Sequence, residues 1–113
     1  MQLFSTHAEL VVQAQQLGAI AQELSATSLQ WTAQEAALIH KIQAASDRLN
    51  DQLAHPLIDD LSRYRHDLRT PLTVILGYCE LMLSRAPQPI PQLSAVYQQG
   101  QVVLRAINQW SGE

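Results

Sequence analysis

The sequence has one cysteine, no long apolar run and no excess of positive charge, and each absence narrows the function. Cys79 has no second thiol with which to form a disulfide or a metal site, so we interpret it as a core residue. Seven basic residues against ten acidic ones argue against binding to nucleic acid or to an anionic membrane. No stretch approaches the ~20 apolar residues that span a bilayer, and the start lacks a signal-peptide pattern. We therefore expect a soluble, cytoplasmic chain with no membrane segment.

A leucine recurs at every seventh residue through most of the first half, as in a coiled coil. Because no proline comes before Pro56, the pattern predicts one helix about 70 Å long, which would need a partner. We therefore predict a coiled coil over residues 1–55, acting as a signalling helix or a stalk. The alternative is two shorter helices folded as a hairpin around Gly18 or around residues 25–28. The row consists of Leu3, Leu10, Leu17, Leu24 and Leu38, with Trp31 in the gap and Ala45 continuing it.

Residues 56–113 have the pattern of an antiparallel helical hairpin. The dipeptide His55-Pro56 predicts a helix boundary, because the residue before a proline disfavours helical geometry. Two amphipathic patterns come next, from Leu61 to Met82 and from Leu93 to Trp110, and prolines 87, 89 and 91 break the helix between them. A lone hairpin buries only one seam, so we expect two copies to pair as a four-helix bundle in a homodimer. The predicted fold class is all-α.

His66 lies on the outer face of the first helix of this hairpin. On a helical wheel centred on the buried Leu68, His66 falls about 160° away and Thr70 about 40° from His66, so both should point to solvent. Asp67 should lie on a flank of that face, where its carboxylate could hold the proton on one imidazole nitrogen and leave the other as a nucleophile. Pro71 removes the N–H that would bond to the Asp67 carbonyl, so the helix should bend or loosen there.

Residues 65–72, Arg-His-Asp-Leu-Arg-Thr-Pro-Leu, carry the clearest signal in the sequence. With the later Gly77-Tyr78 and Glu80-Leu81, they resemble the H-box of the dimerisation and phosphoacceptor domain of two-component sensor histidine kinases. All seven positions of that family's pattern agree at residues 66–72, and the resemblance covers roughly residues 56–110. The sequence departs from the common pattern at Arg65 and Asp60, where many members have a serine and an aromatic residue.

The resemblance implies a role for each of four residues. His66 would be the nucleophile and phosphoacceptor, and Asp67 the general base. Thr70 would position water when phosphate is removed from a partner, and Pro71 would supply a helix bend. The implied partners are a second copy of the hairpin, an ATP-binding domain that phosphorylates the histidine, and a receiver domain whose aspartate takes the phosphoryl group.

The residues after Trp110 are too few for an ATP-binding domain. We therefore expect ATP and Mg²⁺ to bind to a separate domain or partner, in cis or in trans. We expect this chain itself to bind no cofactor or metal. The chain is then either a piece of a longer kinase or a stand-alone module. In both cases it cannot phosphorylate itself unaided, which leaves open whether it counts as an enzyme. The alternative function is a non-catalytic, dimerising signal-transmission module coupled to an output domain such as a cyclase or a phosphatase.

Overall fold

The structure, a computed structural model, describes residues 6–27, 31–56, 58–86 and 90–110. These residues form four helices and no strand, which confirms the predicted all-α class. No helix in this part of the chain is long and apolar enough to cross a bilayer. The helices are α1 (His7–Ala26), α2 (Ala33–Ala54), α3 (Leu61–Arg85) and α4 (Pro91–Gln109).

The four helices close into one bundle within a single chain. Each packs against two neighbours, in the ring α1–α2–α3–α4 and back to α1. Short connections make consecutive helices antiparallel neighbours, as in an up-down-up-down bundle. We call α1 and α2 the N-terminal hairpin, and α3 and α4 the C-terminal hairpin.

The long N-terminal helix predicted from the leucine row is wrong, because the chain turns back after Ala26. The longest dimension of the molecule is 42 Å, well short of the predicted helix. Helix α1 ends where the Thr27 hydroxyl donates to the Leu24 carbonyl at 2.8 Å. Helix α2 starts at a capping box formed by Thr32 and Glu35. The Thr32 hydroxyl accepts a hydrogen bond from the Glu35 N–H at 3.1 Å, and the Glu35 carboxylate accepts one from the Thr32 N–H at 3.0 Å. The alternative of a hairpin is therefore confirmed, with its turn after Ala26.

The heptad row changes phase between the two helices of the N-terminal hairpin. Leu10, Leu17 and Leu24 are fully buried, whereas Leu38 is only half-buried and Leu3 lies outside the described residues. A new helix begins at Ala33, so nothing keeps it in register with the row in α1. Its buried stripe keeps Ala45 of the row and otherwise comprises Ile39, Ile42, Ser46, Leu49 and Leu53.

The N-terminal hairpin covers the apolar stripe of the C-terminal hairpin. At one end of the bundle, Trp110 is buried, with its ring 5.7 Å from those of both His7 and Tyr64. Farther along, the Gln99 amide donates to the Gln13 carbonyl at 3.0 Å. The stripe residues with no exposed surface are Leu68, Leu72, Ile75 and Cys79 in α3, and Leu93, Val96, Val103 and Ile107 in α4.

This burial removes the packing argument for a second copy, since one chain already covers the seam that the prediction left open. Homodimerisation itself stays a prediction.

The segment between α2 and α3 holds the predicted boundary at residues 55 and 56. His55 is the C-cap of α2, and its N–H donates to the Asp51 carbonyl at 3.0 Å. Asp60 then caps α3, because its carboxylate accepts from the N–H groups of Ser62 and Arg63 at 3.0 and 3.3 Å. The departure from the family pattern at Asp60 thus has a structural cause.

The remaining proline and cysteine predictions concern the C-terminal hairpin. Pro91 is the first residue of α4, where a missing N–H costs nothing, while prolines 87 and 89 lie outside the described residues. Cys79 is fully buried, which confirms it as a core residue. Burial, with a smaller contribution from the charge of Glu80, raises the pKa of its thiol to about 12, so the thiol stays protonated at neutral pH.

Candidate functional site

His66 is exposed in the second turn of α3, as the helical wheel predicted. The helix is fixed beneath it by two fully buried leucines, Leu68 and Leu72, and at its start by the Asp60 cap. An imidazole on such a helix has a fixed backbone and an accessible ring. The rest of the outer face is also exposed, namely Arg63, Thr70, Thr73 and Gly77.

The two flanks of this outer face carry different chemistry. On one flank, Asp67 and Thr70 line a surface cleft of about 150 Å³ with Arg48 and Gln52 of α2. On the other flank, the Arg69 guanidinium is tied to α4, because its Nε donates to the Asn108 Oδ1 at 2.8 Å. The sequence placed Asp67 and Arg69 on opposite flanks, and the structure confirms that placement.

Thr70 and Pro71 alter the hydrogen bonding of two backbone carbonyls of α3 at and beside the histidine. The Thr70 hydroxyl donates to the His66 carbonyl at 3.2 Å, and Pro71, which is buried, has no N–H for the Asp67 carbonyl. Helix α3 nevertheless continues through Pro71 to Arg85. The bend at Pro71 stays a prediction.

The side chains of His66 and Asp67 are exposed, and neither hydrogen-bonds to another described residue. In particular, Asp67 does not bond to the imidazole of His66 in this arrangement. Since both side chains project from the surface, rotation about their χ angles can bring either toward an approaching group. The polar atoms needed for acid–base chemistry are present and unengaged.

Three further histidines lie elsewhere and build no metal site. Within the described ranges, no three histidine, cysteine, aspartate or glutamate side chains come together to hold an ion. His7 packs on Trp110. His55 Nδ1 lies 3.4 Å from an Asp51 carboxylate oxygen, so the chain has a second exposed histidine beside a carboxylate.

Residues 58–110 match the family model for the His Kinase A (phospho-acceptor) domain. Over this segment, the chain is similar to a His Kinase A domain. The matched segment takes in all of α3 and α4 and the whole string from His66 to Leu72. The resemblance seen in the sequence is therefore confirmed. Comparison with curated proteins and with solved structures gives no match.

The sequence did not predict that helix α2, which lies outside the matched segment, would border that segment at Asp67 and Thr70. Arg48 and Gln52 belong to α2 and share the cleft with Asp67 and Thr70. The signal available was the capping-box pattern at Thr32 and Glu35, which starts a separate helix. Nothing in the local sequence, however, indicated which face of α3 that helix would cover.

Proposed function

We propose that this chain is the phosphoacceptor component of a two-component system. In this proposal, His66 takes a phosphoryl group from ATP bound to a kinase ATP-binding domain and passes it to an aspartate of a response regulator receiver domain. The observation that carries the proposal is the position of His66: it is exposed on α3, inside a segment that matches the His Kinase A family. Phosphoryl transfer depends mainly on positioning and charge neutralisation, and a capped helix with a buried anchor supplies the positioning.

Asp67 is proposed as the general base. The imidazole of His66 must lose its N–H proton as the P–N bond forms, and an adjacent carboxylate can take or hold that proton. Its exposure and its lack of a partner among the described residues support this role, because no competing contact has to break.

Thr70 is proposed to position water when the phosphoryl group is removed from a partner. Its hydroxyl hydrogen is engaged with the His66 carbonyl at 3.2 Å, which leaves the oxygen lone pairs facing outward to accept from water. Pro71 is proposed to soften the helix, because the Asp67 carbonyl loses its usual helical donor.

The partners of this function are proposals too. ATP and Mg²⁺ would come with the ATP-binding domain, in cis or in trans, and the receiver domain would supply the acceptor aspartate. A cytoplasmic location and homodimerisation belong to the same proposal. The alternative of a non-catalytic, dimerising signal-transmission module stays untested, and no feature of the described helices favours it over phosphotransfer.

The test is to incubate the chain with a histidine kinase ATP-binding domain, Mg²⁺ and ATP labelled in the γ-phosphate. We expect acid-labile label on the wild type and on His40→Gln, which changes an exposed histidine of α2, and no label on His66→Gln. Added receiver domain should then remove the label. Persistent label on His66→Gln would contradict the proposal.

A further inference from the structure

The cleft beside the phosphoacceptor histidine is formed by both hairpins. Helix α3 contributes Asp67, Thr70 and Pro71, and helix α2 contributes Arg48 and Gln52. A wider cleft of about 440 Å³ continues along the same two helices and shares Arg48 and Pro71 with the first. Arg48 therefore stands at the junction of a groove that begins at Asp67 and Thr70, the chain neighbour of His66 and the residue one helical turn after it.

Arg48 is the cation at this junction, and it is uncommitted. Its side chain is exposed and makes no ion pair or hydrogen bond with any residue that the structure describes. The nearest carboxylate in the cleft, Asp67, is not within ion-pair distance of it. A guanidinium is always charged and presents paired donors that match phosphate oxygens, so it can bind an incoming anion without first breaking another contact.

We propose that Arg48 is a phosphate-binding residue of the phosphoacceptor site, supplied by the N-terminal hairpin to neutralise the phosphoryl group as it reaches or leaves His66. The site is then a composite of two hairpins, only one of which belongs to the matched family domain. The inference rests on the proposed role of His66 and adds a residue from outside that domain.

A small donor, phosphoramidate, tests the inference without a protein partner. In the reaction, the P–N bond of the donor breaks and a P–N bond to an imidazole nitrogen of His66 forms. The imidazole loses its N–H proton, and the donor nitrogen takes up a proton and leaves as ammonia. The measurement is the initial rate of phosphohistidine formation over a range of donor and salt concentrations.

We expect Arg48→Gln to lower the rate about three- to fivefold, the scale of a solvent-exposed charge interaction. The difference from wild type should shrink as salt is added, since screening weakens the wild-type advantage. Arg48→Lys should recover part of the rate, because it restores the charge but not the paired donors.

The matched control is Arg105→Gln. Arg105 is also an exposed helical arginine, but it lines a cleft between α1 and α4, on the other side of the bundle, and we expect no change in rate. Circular dichroism should show equal helicity for all the variants, because Arg48 and Arg105 are both exposed.

Two outcomes would overturn the inference at different levels. If the wild type is labelled at His66 and Arg48→Gln matches it, or if the loss is insensitive to salt and not recovered by lysine, the composite site is wrong while the function stands. If phosphoramidate leaves His66 of the wild type unlabelled, the proposed function fails, and this inference fails with it.

Discussion

Leu17 has no exposed surface in α1, so shortening it to alanine tests whether the two hairpins share one core. Leucine-to-alanine changes at fully buried sites cost about 3–5 kcal/mol, because the side chain's burial is lost and a cavity remains. If the four helices fold as a unit, the C-terminal hairpin should lose that stability as well, although Leu17 is distant from it in sequence.

The cysteine reports on the C-terminal hairpin. Cys79 is the only thiol of the chain, and it is buried in α3 with a pKa raised to about 12, so it reacts only when the bundle opens. A loss of about 3 kcal/mol in the free energy of unfolding corresponds to a rate of thiol modification about 100-fold higher, when opening and closing are fast relative to modification. The assay is modification of Cys79 by a colorimetric disulfide reagent, alongside urea unfolding followed by circular dichroism.

The control for Leu17→Ala is Val12→Ala on the same helix. Val12 is 49% exposed, so its shortening should change the unfolding free energy by less than about 0.5 kcal/mol. If Cys79 is modified at the same rate in Leu17→Ala as in wild type, the shared core is refuted. The N-terminal segment would then fold independently of the C-terminal hairpin.

Two further stability predictions concern single residues. The pKa of Cys79 in the folded chain, about 12, lies above its ordinary value of 9.0, so its contribution to stability is complete below pH 9 and is lost as the pH rises toward 12. Between pH 8 and 10.5, the free energy of unfolding in urea should therefore fall by about 2 kcal/mol less in Cys79→Ala than in wild type. Equal falls in the two proteins would contradict the burial of the thiol. Gly77→Ala should stabilise the chain by about 1 kcal/mol, because a Cβ there meets nothing within 4 Å, whereas in Gly100→Ala the new Cβ would lie 2.9 Å from Leu76 Cδ2 and should offset most of that gain. Thermal melting measures both glycine variants, and equal shifts would show that α3 and α4 are not packed this closely.

The C-terminal hairpin could be predicted from the sequence because its signals are local. The apolar spacing indicated which faces of α3 and α4 are buried, and the string around His66 carried the family. The positions of Leu68 and His66 on opposite faces followed from helix geometry alone, and the structure agrees.

The N-terminal half was mispredicted because a regular row of leucines outweighed a capping signal. Thr32 and Glu35 begin a new helix. A small rotation of its buried face relative to the leucine row is enough to bury Ile39 and Ile42 and to leave Leu38 only half-buried. A heptad row indicates that a face needs covering, but it does not state whether the cover comes from the same chain or from another.

The contribution of α2 to the site could not be predicted, because it is a long-range contact. Arg48 and Asp67 are separated along the chain by the end of α2, the connection and the first turn of α3, and they share a cleft only because α2 packs beside α3. No periodicity within either helix encodes that choice of neighbour.

The most direct test of the central claim is to find which of the four histidines becomes phosphorylated. The wild-type chain would be treated with phosphoramidate, digested at neutral or alkaline pH and analysed by mass spectrometry with a fragmentation method that retains phosphohistidine. We expect label on His66 alone. His55, exposed and 3.4 Å from a carboxylate oxygen of Asp51, is the internal control for an ordinary surface histidine beside an acid. Equal label on His55 and His66, or none on His66, would contradict the account.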